Sequence, residues 1–135
     1  MEPSIFTRII NGEIPCDKVY EDEKTVAFLD IHPVQPGHTL VVPKVQVDHF
    51  FDLSDEDYQA VWATVKRIAK AQKKAFDKKR IGVRVIGLDV PHAHIHVFPI
   101  DSLADYMIMP DMDAQPDFEA LSLIADQLRK EASNV

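Results

Sequence analysis

The 135-residue chain is 46% hydrophobic and 27% charged and contains four glycines, a composition typical of one compact domain. Its formal net charge of -7 argues against general binding to nucleic acid, because neutralising phosphates requires a basic surface. The sequence has no long apolar segment and no basic-then-apolar leader, so we expect neither a membrane span nor secretion. The single cysteine, Cys16, fits a reducing compartment, and we therefore expect a cytoplasmic protein.

The first half of the chain predicts one short helix and three strands. Apolar residues between Ile5 and Ile10 recur at helical spacing, and Asn11-Gly12 is a typical helix end. Three short segments rich in β-branched or aromatic residues follow, separated by charged turns or by turns with proline and glycine. These segments are Val19-Tyr20, Thr25 to Asp30 and Thr39 to Val42. Because the turns are short, we expect antiparallel pairing.

The second half predicts a long helix, two more strands and a last helix. Ser54 is a suitable N-cap, and the apolar residues from Tyr58 to Phe76 share one face, which gives a helix of about 22 to 25 residues. The later elements are strands at Gly82 to Leu88 and His92 to Phe98, the second closed by Pro99, and a helix from Phe118 to Leu128 after an irregular acidic stretch. This order of elements predicts an α+β fold.

Three histidines, His92, His94 and His96, alternate with apolar residues in the second of these strands. Alternate residues of a strand share a face about 6.6 Å apart, so three imidazoles would line one face while the apolar residues pack on the long helix. Three imidazoles in register have no common packing purpose, and each requires a polar partner. The pattern therefore predicts a chemical site.

Such a row suits either phosphate chemistry or metal binding. In the first, a neutral His94 attacks phosphorus while its neighbours hydrogen-bond the phosphate. In the second, two neighbouring imidazoles hold an ion with a further ligand from His38, His49 or a carboxylate. Along a straight strand His92 and His96 are about 13 Å apart, too far for one zinc ion to bind all three imidazoles. This distance favours phosphate chemistry.

The run His92-Ala93-His94-Ile95-His96-Val97-Phe98 resembles the signature of the histidine-triad superfamily of nucleotide hydrolases and transferases. The segment from Ile5 to Lys44 is similar to the opening of the histidine-triad nucleotide-binding proteins, and the likeness covers about residues 5–100. The resemblance implies one histidine-triad domain over residues 1–135, of which 101–135 form a divergent acidic extension with a helix. It also implies a five-stranded antiparallel sheet in each subunit and a homodimer whose subunits share one ten-stranded sheet.

The resemblance further implies a site for a purine nucleoside monophosphate or its phosphoramidate. His94 would be the nucleophile, His92 would orient it, and His96 would lie near the phosphate and the leaving group. His38 would be a fourth active-site histidine, and Asp30 would hold the ribose hydroxyls. The walls of the base pocket would be Phe6, Ile9, Phe28, Ile31 and Leu40.

Two groups of residues depart from the family's pattern. Where zinc-containing members carry two cysteines and a histidine, this chain has Ser4, Thr7 and Gln46, so we expect no structural zinc. Where many members have a glutamine and a hydroxyl residue before the triad, this chain has Leu88 and Asp89. Leu88 cannot donate a hydrogen bond, whereas Asp89 would repel a phosphate if ionised or act as an acid if protonated.

Together these features predict a hydrolase, without metal or other cofactor, that cleaves a bond at the α-phosphate of a purine nucleotide through a nucleotidyl-His94 intermediate. A nucleoside phosphoramidate is the substrate that the resemblance favours, and Asp89 joins the catalytic set as a candidate proton donor. One alternative is hydrolysis of a dinucleoside polyphosphate or an acyl-adenylate. Another is a nucleotide-binding protein with little turnover, in which Leu88 and Asp89 have weakened catalysis.

Overall fold

Five strands and four α-helices make up the fold in a computed structural model that describes all residues from Met1 to Val135. In chain order the elements are α1 (Ile5–Ile10), β1 (Lys18–Glu21), β2 (Thr25–Leu29), β3 (Thr39–Pro43), a 3-10 helix (Phe50–Asp52), α2 (Asp55–Ala75), β4 (Arg80–Arg84), β5 (Ile95–Ile100), α3 (Leu103–Met107) and α4 (Phe118–Ala132). None of the helices combines the length and the apolarity that crossing a membrane requires.

The strands form one antiparallel sheet in the order β1-β2-β3-β5-β4, which confirms the predicted α+β class and the five-stranded sheet. β5 lies between β3 and β4. Within it, His96 is opposite Leu40 of β3 on one side and opposite Arg84 of β4 on the other. The last histidine of the motif is therefore fixed in the middle of the sheet.

Side chains alternate between the two faces of the sheet, and the faces have different partners. One face packs against α2 and α4 in a 17-residue apolar core, which includes Ala93, Ile95 and Val97. The predicted packing of these three residues on the long helix is confirmed. The opposite face carries a smaller apolar cluster under α1, consisting of Phe6, Val26, Phe28, Leu40 and Val42. The histidine rings share this second face.

Capping residues explain where the helices begin and end. The Ser4 side chain accepts a hydrogen bond from the Thr7 backbone N–H at the start of α1, and Gly12 has a φ of 78° just beyond its end, as predicted. Ser54 caps α2 in the same way. The 21 residues of α2 are slightly fewer than predicted, because Phe76 already has an extended backbone.

The prediction that His92 and His94 lie within a strand was wrong. β4 ends at Arg84 and β5 begins only at Ile95, so residues 85–94 form a loop. The end of this loop is held differently from a strand, since the Ala93 N–H donates to the Val47 carbonyl at 2.7 Å. The backbone at His92 and His94 therefore does not follow strand geometry, and the two rings take directions that a regular strand would not allow.

Pro99 does not close β5, which continues to Ile100. β3 pairs with β5 only as far as Val97, so Pro99 lies where β5 is paired with β4 alone. A proline, which has no backbone N–H, is tolerated there because a strand paired on one side only has backbone N–H groups that donate to no neighbouring strand.

The acidic region after β5 contains a helix, α3, that the sequence did not predict. Tyr106 of α3 stacks on Phe98 with ring centroids 5.7 Å apart, and its hydroxyl donates to the Val83 carbonyl at 2.9 Å. These contacts hold α3 against β4 and β5, next to the histidines.

Candidate active site

His92 is fully buried, and both nitrogens of its ring are hydrogen-bonded. Nε2 lies 2.8 Å from the Pro43 carbonyl, which can only accept, so this nitrogen carries a proton. Burial lowers the pKa of His92 and favours the neutral ring, in which Nδ1 accepts a hydrogen bond from the Ser4 hydroxyl at 2.7 Å. With both nitrogens occupied, the His92 ring has no group to offer a substrate.

Ser4, Thr7 and Gln46, the positions where zinc-containing members carry ligands, lie together beside His92. The Thr7 hydroxyl donates to Gln46 Oε1 at 2.7 Å, and the Ser4 backbone N–H donates to the same oxygen at 2.8 Å. The Gln46 amide in turn donates to the Glu2 carbonyl. Hydroxyl and amide groups are not the thiolate and imidazole ligands that zinc prefers. This polar cluster fastens α1 to the loop that carries the histidines.

His94 is 1% exposed and is oriented by the backbone of His92. Its Nδ1 donates to the His92 carbonyl at 2.7 Å, so in the neutral ring Nε2 has a free lone pair. The Phe6 ring packs edge-on against it with centroids 5.0 Å apart. His94 Nε2 lies 3.6 Å from Asp89 Oδ1, which is too long for a hydrogen bond. A bare imidazole nitrogen is thus held at the open side of the site.

His38 and His96 form a hydrogen-bonded pair. The positions of its protons follow from the backbone N–H group that donates to His38. The Val34 backbone N–H donates to His38 Nδ1 at 3.1 Å, so the neutral His38 ring carries its proton on Nε2. That group donates to His96 Nδ1 at 3.0 Å, which leaves the proton of His96 on Nε2. Burial, with smaller contributions from neighbouring histidines and Arg84, lowers the pKa of His38 to about 3 and that of His96 to about 4. The pair therefore presents a neutral N–H donor.

Asp30 lies at the end of β2 beside this pair. Its Oδ1 accepts from the His32 backbone N–H at 2.8 Å, its Oδ2 lies 3.7 Å from His38 Nε2, and burial raises its pKa. Ligand atoms of Asp30, His38 and His96 all lie within 4.8 Å of one another. A metal bound to His38 Nε2 would require the ring proton to be on Nδ1. Nδ1 instead accepts a hydrogen bond from the Val34 backbone N–H and so carries no proton. The hydrogen bonds therefore make this group a poor metal site.

Four of the five residues predicted to form the base pocket lie in the cluster under α1. Phe6, Phe28 and Leu40 are buried there, and Ile9 packs on them from α1. Ile31 is separate from this cluster; it is 43% exposed and lines a cavity of about 410 Å³ between the β2–β3 loop and α4. The structure thus brings four of the apolar residues together, with Phe6 in contact with His94, and leaves the fifth apart.

A second cavity of about 230 Å³ lies on the other side of the histidines. His38, His96 and Arg84 lie on one side of it, and Leu88, Asp89 and the tail residues Met109 and Pro110 complete its lining. Leu88 is 91% exposed and the Asp89 side chain 70% exposed. Sequence reasoning missed Arg84. The available signal was a charged residue inside the apolar run Val83 to Ile86.

Comparison with known proteins agrees with this fold and this row of histidines. The profile of the HIT domain family matches residues 11–103, which is more than half of the chain. The chain therefore belongs to the histidine-triad, or HIT, family, which confirms the resemblance found in the sequence.

Three similar proteins show how far the likeness extends. An uncharacterized HIT-like protein of Methanocaldococcus jannaschii is 46% identical over 99 residues, which are 70% of this chain and 77% of that protein. The adenosine 5'-monophosphoramidase of Schizosaccharomyces pombe is 36% identical over 70% of this chain and 72% of its own. The crystal structure of a Hit-like protein of Bartonella henselae has a TM-score of 0.84, with 35% identity and 95% of both chains covered.

Proposed function

We propose that the protein hydrolyses purine nucleotides at the α-phosphate and that its substrate is a nucleoside phosphoramidate. The observation that carries this proposal is the geometry of His94, whose Nδ1 is bonded to the His92 carbonyl while Nε2 is free at the open side of the site. The similarity to the adenosine 5'-monophosphoramidase of Schizosaccharomyces pombe supports the substrate class.

In the proposed first step, the His94 Nε2 lone pair attacks phosphorus and the bond from phosphorus to the leaving nitrogen breaks. The attack makes the imidazole positive, and the His92 carbonyl at Nδ1 stabilises that charge. The His96 Nε2–H donates to a phosphate oxygen, while the departing amine takes a proton from water or from Asp89 in its protonated form. Water then attacks phosphorus and the bond from phosphorus to His94 Nε2 breaks, while the proton that water loses passes to Asp89 or to solvent. This step releases the nucleoside monophosphate and restores neutral His94.

The remaining contacts of the nucleotide involve its ribose and its base. We propose that Asp30 binds the ribose hydroxyls and that the base packs on the cluster of Phe6, Ile9, Phe28 and Leu40, without Ile31, which lies apart from the cluster. His92 serves as a positioning residue, since its ring is bonded to Ser4 and Pro43.

We also propose that the reaction needs no metal ion. The proton positions of His38 and His96 support this, because they supply hydrogen-bond donors and leave no complete set of metal ligands. Excess EDTA is therefore expected to leave turnover unchanged. Loss of turnover in EDTA, restored by zinc or manganese, would favour the metal alternative.

A homodimer remains our expectation for the assembly. β4 is an edge strand of the sheet, and the apolar side chains of Val85, Ile86 and Leu103 are exposed near it. Pairing of β4 with the β4 of a second copy would create the ten-stranded sheet and cover these residues.

The decisive test of the proposed function is a rapid-mixing experiment with an adenosine 5'-phosphoramidate in slight excess over protein. If His94 forms a covalent intermediate that is hydrolysed more slowly than it forms, we expect a burst of amine equal to the concentration of sites. Adenylylated protein should then be found in samples quenched with denaturant at alkaline pH, because the bond from phosphorus to histidine is labile in acid. Tight nucleotide binding without amine release would instead support the nucleotide-binding alternative.

A further inference from the structure

Arg84 carries a positive charge beside the histidines that no carboxylate balances. It is paired with His96 across β4 and β5, and it lines the 230 Å³ cavity together with His38 and His96. The ion pairs of the protein involve other residues. An arginine in such a place has an unused capacity to bind an anion.

The guanidinium is held in a fixed position by neutral groups. One terminal nitrogen donates to the Tyr106 carbonyl at 2.8 Å and the other to the Ile108 carbonyl at 3.2 Å. The group lies 4.9 Å from the centre of the Phe98 ring, and its buried Nε has no partner. A charge that is already ordered loses little conformational entropy when a ligand binds.

The charge acts on the catalytic pair directly, because Arg84 contributes to the lowered pKa values of both His38 and His96. The cavity it lines also reaches the reaction centre, since Asp89 stands at its rim and lies 3.6 Å from His94 Nε2. Asp89 is largely exposed, so solvent screens its repulsion of an incoming anion.

We propose that Arg84 recognises a carboxylate on the leaving group, so that the substrates are nucleoside phosphoramidates of small amines that carry an acid. This inference rests on the proposed function and specifies its substrate. The cavity of about 230 Å³ is below the range of about 300 to 1,000 Å³ usual for whole drug-sized ligands, so it suits a small leaving group better than a second nucleotide. Its apolar walls, from Ile86, Leu88 and Met109, would pack against the carbon chain of the amine.

The test compares two substrates that differ mainly in charge, the adenosine 5'-phosphoramidates of β-alanine and of β-alanine amide. Wild-type protein is expected to prefer the acid by about tenfold or more in kcat/KM. Arg84→Met should abolish this preference by lowering kcat/KM for the acid more than for the amide, whatever common effect the lost charge has on both substrates through His38 and His96. No preference in the wild type, or an unchanged preference in Arg84→Met, would overturn the proposal. A higher kcat/KM for a third substrate, made from 2-aminoethylphosphonate, than for the acid would contradict recognition of a carboxylate.

Tyr106→Phe is the matched control, because Arg84 also holds the segment formed by the end of α3 and Ile108. This variant removes the hydroxyl bond to Val83 but keeps the guanidinium, so the preference for the acid should survive. An equal loss in Tyr106→Phe would assign the effect to the segment and contradict a role for the charge. If the wild type hydrolyses neither compound, the proposed function fails. Calorimetric affinities for the acid and the amide then test Arg84 separately, and equal affinities would contradict the proposal.

Discussion

The two sides of the histidine row differ in how completely their polar groups are paired. On the side of α1, every nitrogen of His92 has a partner, and Ser4, Thr7 and Gln46 hydrogen-bond one another. On the side of the 85–94 loop, Leu88 and Asp89 project into solvent and Arg84 lacks an anion.

In the proposed mechanism, this difference separates the two tasks of the site. A nucleophile must be held in one geometry, and the paired side fixes it through the His92 carbonyl. A leaving group varies from substrate to substrate, and the open side has groups whose partners the substrate can supply. We therefore expect substitutions on the paired side to change stability and rate together, and those on the open side to change the choice of substrate.

The largest effect is expected at the nucleophile that both sides share. His94→Ala should abolish turnover of an adenosine phosphoramidate while nucleotide affinity stays within about tenfold, or about 1.4 kcal/mol. The reason is that covalent attack needs His94 Nε2, whereas the base and ribose contacts lie on other residues. Steady-state kinetics and calorimetry measure the two quantities, and full activity in this variant would refute the mechanism.

Asp89→Asn tests whether the open side supplies a proton. If Asp89 is the donor, this variant should slow substrates with poor leaving groups by roughly 10² and spare activated ones, because a strongly basic departing atom needs the acid most. Tighter nucleotide binding in the variant would show instead that the carboxylate repels phosphate. Unchanged rates for both substrates would exclude the role of proton donor.

Ser4 tests the paired side. Ser4→Ala removes the cap of α1 and the 2.7 Å hydrogen bond to the buried Nδ1 of His92, which keeps only the Thr7 hydroxyl at 3.4 Å, so the free energy of unfolding should fall by about 1–3 kcal/mol. Ser4→Gly separates the two causes, since glycine is nearly as good a cap but has no hydroxyl. Denaturant titrations give the stability of each variant, and a stable Ser4→Gly would contradict the importance of the His92 bond. Ser4→Thr keeps the hydroxyl and should therefore retain both the stability and the kcat of the wild-type protein.

Stability is also expected to depend on pH. His38, His92 and His96 have lowered pKa values when folded, so between the folded values and an unfolded value of about 6.5 the unfolded chain binds more protons. Their contribution is complete above about pH 6.5 and is lost as the pH falls toward about 4. The raised pKa of Asp30 opposes this trend. Calorimetry should show Tm falling by about 5 °C or more from pH 7 to pH 4.5, and a constant Tm would contradict the burial of neutral histidines.

The sequence predicted the elements with strong local signals and missed those that depend on distant partners. The strands before Lys44 and the capped helix α2 have clear periodicity and capping residues, and both were found. The direction of the His92 ring could not be predicted, because its partners Ser4 and Pro43 are 88 and 49 residues away. Alternation of histidines also occurs in an extended loop, so it could not reveal that β5 begins at Ile95.

The roles of Arg84 and α3 were missed for a related reason. Arg84 becomes important only through its pairing with His96 and through carbonyl groups 22 and 24 residues later. The one local signal, a charged residue inside an apolar run, does not identify these partners, whereas the histidine motif is entirely local.

The hydrogen bonds of His38 and His96 determine where protons can travel. The series of hydrogen bonds from His96 through His38 ends at the Val34 backbone N–H, an amide that neither accepts nor releases a proton near neutral pH. The two imidazoles therefore cannot relay a proton from the reaction centre through the interior of the protein. In the proposed reaction, protons are therefore exchanged with solvent from the side of Asp89, which is 70% exposed and lies 3.6 Å from His94 Nε2.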